Sequence, residues 1–290
     1  MVIGFWNVNR NMGLGELLVE FVIEYGIDIL LLAEADEPPL KSKSIRPSAS
    51  ILTARFLVNT AQRDDAERFR QVKSNNDLVK VFTHYPEDYL DEKNHLMLGS
   101  RMTAFRVDVP GFPLFNLFGI HFHSKFNWTD ISQAMECVSL AEDICRVESE
   151  VGARCENSTV IGDFNMNPFE PGMIAANGLH AVPDLETAKR TNTRLVDGRT
   201  YKSFYNPMWN YLGDNSKDMG EYFYRPSGPV SLEWHLLDQV LIRPVFTEWY
   251  SNESVRIVTK INGINLKMDN NRPNKDDFSD HFPLVLKINY

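Results

Sequence analysis

The chain has 290 residues, enough to bury a large core as one large domain or two small ones. Apolar residues make up 43% and charged residues 24%, an ordinary globular balance that excludes a disordered or fibrous chain. A net charge of −9 argues against passive, tight binding to nucleic acid over a basic surface, but not against a site that grips one phosphate through a metal ion.

Met1 leads directly into the apolar residues Val2-Ile3-Gly4-Phe5-Trp6, without a basic segment or cleavage site, so no secretory signal is expected. No apolar run reaches the ~20 residues of a membrane-spanning helix, so no membrane span is expected either. The expected compartment is the cytoplasm, where Cys137, Cys145 and Cys155, odd in number and without metal-ligand spacing, read as reduced thiols. Asn127, Asn157 and Asn252 open Asn-x-Ser/Thr sequons, which carry no consequence without secretion.

A first strand is predicted over residues 2 to 8, ending in Trp6-Asn7-Val8-Asn9. Leu14, Leu17, Leu18, Phe21, Val22 and Tyr25 then recur at three- and four-residue steps, the stripe of a helix that Gly26 closes. Residues 27 to 33 form a buried strand with Glu34 just beyond, so the opening is βαβ-like. Gly13-Leu14-Gly15 lacks the third glycine of a dinucleotide loop. After the basic residues Lys41, Lys43 and Arg46 comes an apolar run, Ile51 to Val58, and a charged helix or loop, Gln62 to Lys73. Further strands fall at 78–82, 102–109 and 114–122, the last two joined as an antiparallel hairpin by Asp108-Val109-Pro110-Gly111-Phe112-Pro113.

Ile131, Ala134, Met135, Val138, Ala141 and Cys145 mark a second amphipathic helix, and the run Thr159 to Ile161 a buried strand ending at Gly162. Residues 186–232 are polar and rich in aromatics, among them Tyr205, Trp209 and Tyr222. A stretch this long without periodicity is functional or disordered, and the aromatics argue against disorder. Strands return at 235–242, 255–261 and 283–288, and with no repeat or linker the simplest account is one domain.

Polar residues gather at the ends of these strands. Asn7 and Asn9, Glu34, His121 and His123, Asp163 and Asn165, and Asp238 with Asp280-His281 would converge on one edge of a packed sheet. Each has a plainer explanation: an Asx turn for Asp163 and Asn165, a solvated acidic loop for Glu34, a core histidine for His121, a cap or turn for Asp280-His281. Asp238 is less easily dismissed. A lone acid inside Leu236-Leu237-Asp238-Gln239-Val240-Leu241 costs several kcal/mol unless it finds a partner such as a histidine.

This set, in this order, resembles the endonuclease/exonuclease/phosphatase superfamily from Phe5 to Leu286. The resemblance is carried by Trp6-Asn7-Val8-Asn9, Leu32-Ala33-Glu34, Gly119-Ile120-His121, Gly162-Asp163-Phe164-Asn165, Leu237-Asp238-Gln239-Val240-Leu241 and Ser279-Asp280-His281-Phe282-Pro283-Leu284. Two positions depart from it: Ala33 stands where glutamine is usual, and Gln239 where a basic residue or histidine is usual.

The resemblance implies a four-layer α/β sandwich, two mixed β-sheets packed face to face with helices on the outer faces. The whole chain, 1–290, would be one domain with an aromatic-rich insertion at about 186–232. It also implies metal-dependent phosphoester hydrolysis, and oxygen ligands without thiolate suit Mg2+ or Mn2+. Glu34 would be the main metal ligand, with Asn7 and Asp280 near it. Asp163, oriented with Asn165, would position or deprotonate the attacking water. His281, held by Asp238, would stabilise the phosphorane-like state or act as the base, and His121 would donate to a phosphate oxygen. Strand phase favours His121 over His123 for that role. Asn9, His123 and Lys125, with Tyr205 and Trp209 of the aromatic stretch, are the candidate substrate contacts, although those aromatics could equally pack the insertion.

The expected substrate is a phosphodiester of DNA or RNA. The alternative is a small phosphoester such as an inositol phosphate, lipid head group or nucleotide, and a minor alternative is a non-catalytic binding module on the same fold.

Overall fold

The computed structural model describes residues 1–35, 51–60, 68–99, 101–213, 218–227, 232–251 and 253–290. Lys41, Lys43, Arg46, Asn252 and part of the charged stretch 62–73 lie outside the described residues.

Strand β1 (Val2–Asn7), helix α1 (Gly15–Tyr25) and strand β2 (Ile29–Ala33) form the expected βαβ unit, with β1 and β2 parallel and Asn7 opposite Ala33. The apolar stripe of α1 is buried, and the helix stops at Gly26, whose φ of 60° only glycine adopts without strain. The run after residue 50 is helical, α2 (Ile51–Thr60). There follow β3 (Arg70–Gln71), β4 (Val79–Thr83), β5 (Leu90–Glu92), β6 (Met102–Val107), β7 (Phe115–His121), α3 (Asp130–Glu148) and β8 (Ser158–Asp163). The predicted hairpin is present as antiparallel β6 and β7.

The aromatic-rich stretch is woven into the body. It holds α5 (Leu185–Arg190), which follows α4 (Pro171–Ile174) and β9 (Ala181–Val182), then the hairpin β10 (Thr193–Val196) and β11 (Arg199–Lys202), β12 (Phe204–Tyr205) and β13 (Tyr222–Phe223). β14 (Trp234–His235), β15 (Asp238–Ile242), β16 (Val255–Ile257), the small hairpin β17 (Lys260–Ile261) and β18 (Ile264–Asn265), and β19 (Leu284–Lys287) complete the chain.

Two mixed sheets result. One has the order β16-β19-β1-β2-β4-β3, the other β5-β6-β7-β8-β15-β12-β9. They pack face to face through β1 and β2 on β8 and β4 on β7. The period of two in β7 sorts its side chains: Phe115 and Leu117 join the core between the sheets, while Phe118 and Ile120 join Leu140 and Ile144 of α3 in the outer layer. Gly119 allows the close approach, since a Cβ there would stand 2.6 Å from Leu31 Cδ2 of the facing sheet. Among the described residues no helix is long and apolar enough to cross a membrane.

Helix α3 exists where predicted but turns a different face inward. Ile131 and Met135 of the expected stripe are 74% and 71% exposed, whereas Gln133, Cys137, Leu140, Ile144 and Val147 are buried. The polar residues on that face are satisfied by other elements. Asp143 accepts the backbone N–H groups of Leu98 and Gly99, and Glu148 pairs with Arg243 at 2.7 Å.

Candidate active site at the strand ends

Parallel β1 and β2 end side by side, so their last polar residues emerge together. Asn7 is 2% exposed; its Nδ2 donates to Asp163 Oδ2 at 3.1 Å and its Oδ1 accepts the Asn9 N–H at 3.1 Å. Glu34 follows β2 with φ of 50°, and its backbone carbonyl accepts the Arg10 N–H at 3.0 Å, which fixes the turn that aims its side chain. That carboxylate lies 3.5 Å from His121 Nε2 and 3.6 Å from Arg10 Nε. The bond from His121 holds the Glu34 carboxyl below its usual range against the opposing effect of burial. Burial pulls the His121 imidazole down, but Glu34 and Asp163 together carry it above the usual histidine value.

In the second sheet, β8 lies between β7 and β15, and the registers bring His121 and Asp238 opposite Asp163 from either side. Asp163 is 2% exposed; besides the bond from Asn7, its Oδ1 accepts the Asn165 N–H at 2.8 Å. Asn165 adopts φ of 51° and donates from Nδ2 to the Phe122 carbonyl at 3.1 Å.

Asp238 is fully buried, and its Oδ1 meets His281 Nδ1 at 3.1 Å across 43 positions of sequence. The loop carrying His281 is tied down by Trp6 Nε1, which donates to the His281 carbonyl at 2.9 Å, and by Ser279 Oγ, which donates to the Asn7 carbonyl at 2.6 Å. Burial pushes the Asp238 carboxyl up to about 6 even with His281 beside it. Burial also opposes charging of His281, but Asp238 outweighs it and lifts the imidazole well above its usual value. Both directions favour a cationic histidine with the carboxylate as its counter-charge.

The other predicted residues are less uniform. Asp280 is half-buried beside His281 and raises it electrostatically. Asn9 is exposed on the turn after β1. His123 bonds Arg101 at 2.9 Å and stacks on Trp128 with ring centroids 3.8 Å apart. Lys125 is drawn to the carboxylates of Asp130 and Glu170. Tyr205 requires a correction as a substrate contact: it is 5% exposed within β12, packed in the core between the sheets, where no base can reach its ring. Trp209 is half-buried and meets Phe169 edge to face at 6.3 Å.

Several supporting residues had no site role assigned from the sequence. Glu221 is fully buried and accepts the N–H groups of Leu237 and Asp238 at 2.6 and 2.9 Å, so it fixes the start of β15. Tyr222 lays its ring 4.7 Å from His281. Gln133 of α3 donates to the carbonyls of His123 and Asn165 at 2.6 and 3.2 Å, clamping two strand ends together. Neither Gln133 nor Glu221 carried a signal in the sequence: Gln133 shares its buried face with Asp143 and Glu148, and Glu221 lies in a polar stretch.

Among the described residues one cluster of acids and histidine could hold a cation. Asp163, Asp238 and His281 offer donor atoms within 4.8 Å of one another, but Asp163 accepts N–H bonds on both oxygens and Asp238 Oδ1 is taken by His281. Glu34 and Asp280, the carboxylates expected with Asn7 to hold a metal, are both only partly buried, and oxygen donors of this kind suit a hard divalent ion that keeps some of its water.

No family model matches the sequence, and no curated protein matches it. Solved structures do. An endonuclease/exonuclease/phosphatase family protein from Leptotrichia buccalis C-1013-b aligns with TM-score 0.58 and 15% identity, covering 100% of both chains. An AP endonuclease from Archaeoglobus fulgidus gives 0.52 and 12%, and a 3′ phosphatase from Neisseria bound to a product DNA hairpin 0.51 and 14%, each again over 100% of both chains.

Proposed function

We propose, from the endonuclease/exonuclease/phosphatase fold that this chain has over its whole length, that it is a metal-dependent phosphoester hydrolase acting on the phosphodiester bonds of DNA or RNA. The observation that carries this reading is the convergence on buried Asp163 of Asn7, Asn165 and His121, with the Asp238–His281 pair alongside. Glu34, Asn7 and Asp280 would hold Mg2+ or Mn2+, which when bound supplies neutralisation of phosphate charge and of the leaving oxygen.

The chain's own groups divide the remaining work. Asp163, oriented by two N–H donors, aligns the attacking water and accepts its proton. His281, kept cationic by Asp238 at Nδ1, presents Nε2 to the phosphate and stabilises the charge that builds up in the transition state. His121, between Glu34 and Asp163, donates to a second phosphate oxygen. Three free cysteines accord with a reducing compartment, and we place the protein in the cytoplasm.

The Neisseria structure bound to a DNA hairpin supports the nucleic-acid reading. A second reading, hydrolysis of a small phosphoester, is favoured by the net charge of −9. A metal-supplemented panel of plasmid, single-stranded DNA, RNA, inositol phosphates and bis-p-nitrophenyl phosphate tests both. Cleavage of polymers selects the nuclease, and turnover confined to small esters selects the alternative. Silence across the panel leaves a binding module.

A further inference from the structure

A groove of about 620 Å³ opens beside this site, on the side where Glu34 faces His121. Its walls come from both sheets. Asn76 and Leu78 lead into β4, whose Val79 pairs with Ala33, the residue before Glu34. Arg101 and Met102 open β6, where Met102 pairs with Ile120 and the Arg101 carbonyl accepts the His121 N–H at 3.2 Å. His123, two residues beyond His121, completes that wall. The groove thus lies next to the strand ends that carry Glu34 and His121, and its volume falls in the ~300–1,000 Å³ range of small-molecule sites.

Arg101 differs from the other basic residues around the second sheet. Lys93, Arg106, Lys125 and Arg243 each lie against a carboxylate. The half-buried Arg101 guanidinium instead bonds an imidazole, with Nη2 2.9 Å from His123 Nδ1 and Nε 3.4 Å from His123 Nε2. The other side of that imidazole is fixed by Trp128, stacked at 3.8 Å with 14° between the planes. Among the described residues no carboxylate is paired with this guanidinium, although Glu136 acts on it electrostatically; held in place and partly desolvated, it keeps N–H donors and its charge for an anion. Among the described residues that line the groove, the exposed Asp77 is the one acid. Phe126, 91% exposed, stands on the loop between His123 and Trp128, where a base could stack on it.

We propose that this groove is a second phosphate subsite, anchored by Arg101, for the backbone phosphate next to the scissile one on a nucleic-acid strand. The assignment rests on the hydrolase reading for its substrate, but it concerns binding and is testable without turnover. Arg101 supplies the charge, His123 and Trp128 hold it in position, and the exposed ring of Phe126 receives a neighbouring base.

The test is anisotropy of fluorescein-labelled hexathymidylate titrated with the full chain in excess chelator, over a series of salt concentrations. Arg101→Gln should weaken binding about tenfold and lower the slope of log Kd against log salt by about one. Arg101→Lys, which keeps the charge but loses the fork to His123, should retain most of that slope. Phe126→Ala, on a side chain free of packing, should weaken binding at least fivefold, the lower end expected for a stacked base. Thermal melting of each variant shows that it is folded. A wild type that does not bind the strand, or an Arg101→Gln variant within twofold of it at unchanged slope, overturns the subsite. So does inositol hexakisphosphate competing more strongly than unlabelled hexathymidylate, which would reassign the groove to a small polyphosphate. Binding that depends on Arg101 in a protein that hydrolyses no phosphoester with Mg2+ would instead sink the hydrolase and leave the subsite standing.

Discussion

Replacing Asp238 by asparagine separates catalysis from stability at the centre of the site. The substitution keeps the volume of a fully buried side chain and removes the charge that lies 3.1 Å from His281 Nδ1. A hydrogen bond to a charged group contributes about 1.5–3 kcal/mol. If its value is realised in the transition state, kcat falls roughly 10- to 200-fold. Stability should behave differently. Burial raises the Asp238 carboxyl from 3.8 to about 6, so its ionised form carries a penalty of about 3 kcal/mol at neutral pH. A carboxyl raised on folding favours the folded state below pH 3.8, and that contribution is lost as pH climbs to about 6. Asparagine removes this loss together with the counter-charge of His281, two effects of opposite sign. We therefore expect stability at neutral pH within about 1 kcal/mol of wild type, inside the range of an ordinary substitution.

The assay is bis-p-nitrophenyl phosphate hydrolysis with Mg2+ for Asp238→Asn, His281→Gln and the double variant, with denaturant unfolding of the same preparations. If the pair acts as one unit, the double variant is no more than about threefold slower than the worse single variant. Additive losses, or an Asp238→Asn rate within threefold of wild type, would refute the coupling.

Glu34→Gln should weaken apparent Mg2+ affinity about 10- to 100-fold with Tm unchanged, read from metal titration of activity; full turnover of the wild type in excess chelator would remove the metal from the mechanism. Asp163→Asn should lose more than about 10³ in kcat yet still bind hexathymidylate in chelator, and a rate within tenfold of wild type, about 1.4 kcal/mol, would exclude a water-handling role. Away from the site, Asp28 accepts the Val2 N–H at 2.7 Å and meets His84 at 3.0 Å; although burial opposes it, these partners depress its carboxyl. Its stabilisation is present above pH 3.8 and lost as pH falls through the lower folded value, so the Tm gap between wild type and Asp28→Asn should be widest near neutrality and close in acid. Tyr205→Ala should cost about 3–5 kcal/mol of stability as a core truncation, whereas Trp209→Ala should weaken strand binding at least fivefold more than it slows the small diester; equal losses for Trp209 would mark it as packing.

The elements and the polar residues at their ends were legible because both are local. Apolar runs of four to seven residues become strands, and a strand that ends at the edge of a core must end in something polar, which made Asn7, Glu34, His121 and Asp163 visible. Asp238 could be read further, because a carboxylate inside an apolar strand demands a partner whatever the fold. Where that partner stands is a tertiary matter: the antiparallel registers of β15 on β8 and β19 on β1 carry His281 back across 43 positions.

The inward face of α3 was beyond the reach of periodicity. Counting apolar residues selects Ile131 and Met135, yet the buried face carries Gln133, Asp143 and Glu148, because carbonyls, N–H groups and a guanidinium on distant elements satisfy them. Glu221 and Arg101 follow the same rule. A glutamate or arginine in a polar stretch has no local mark of its role. Only the packed structure, by setting Glu221 against the N–H groups of Leu237 and Asp238 and Arg101 against the edge of His123, decides that one clamps the site and the other lines its groove.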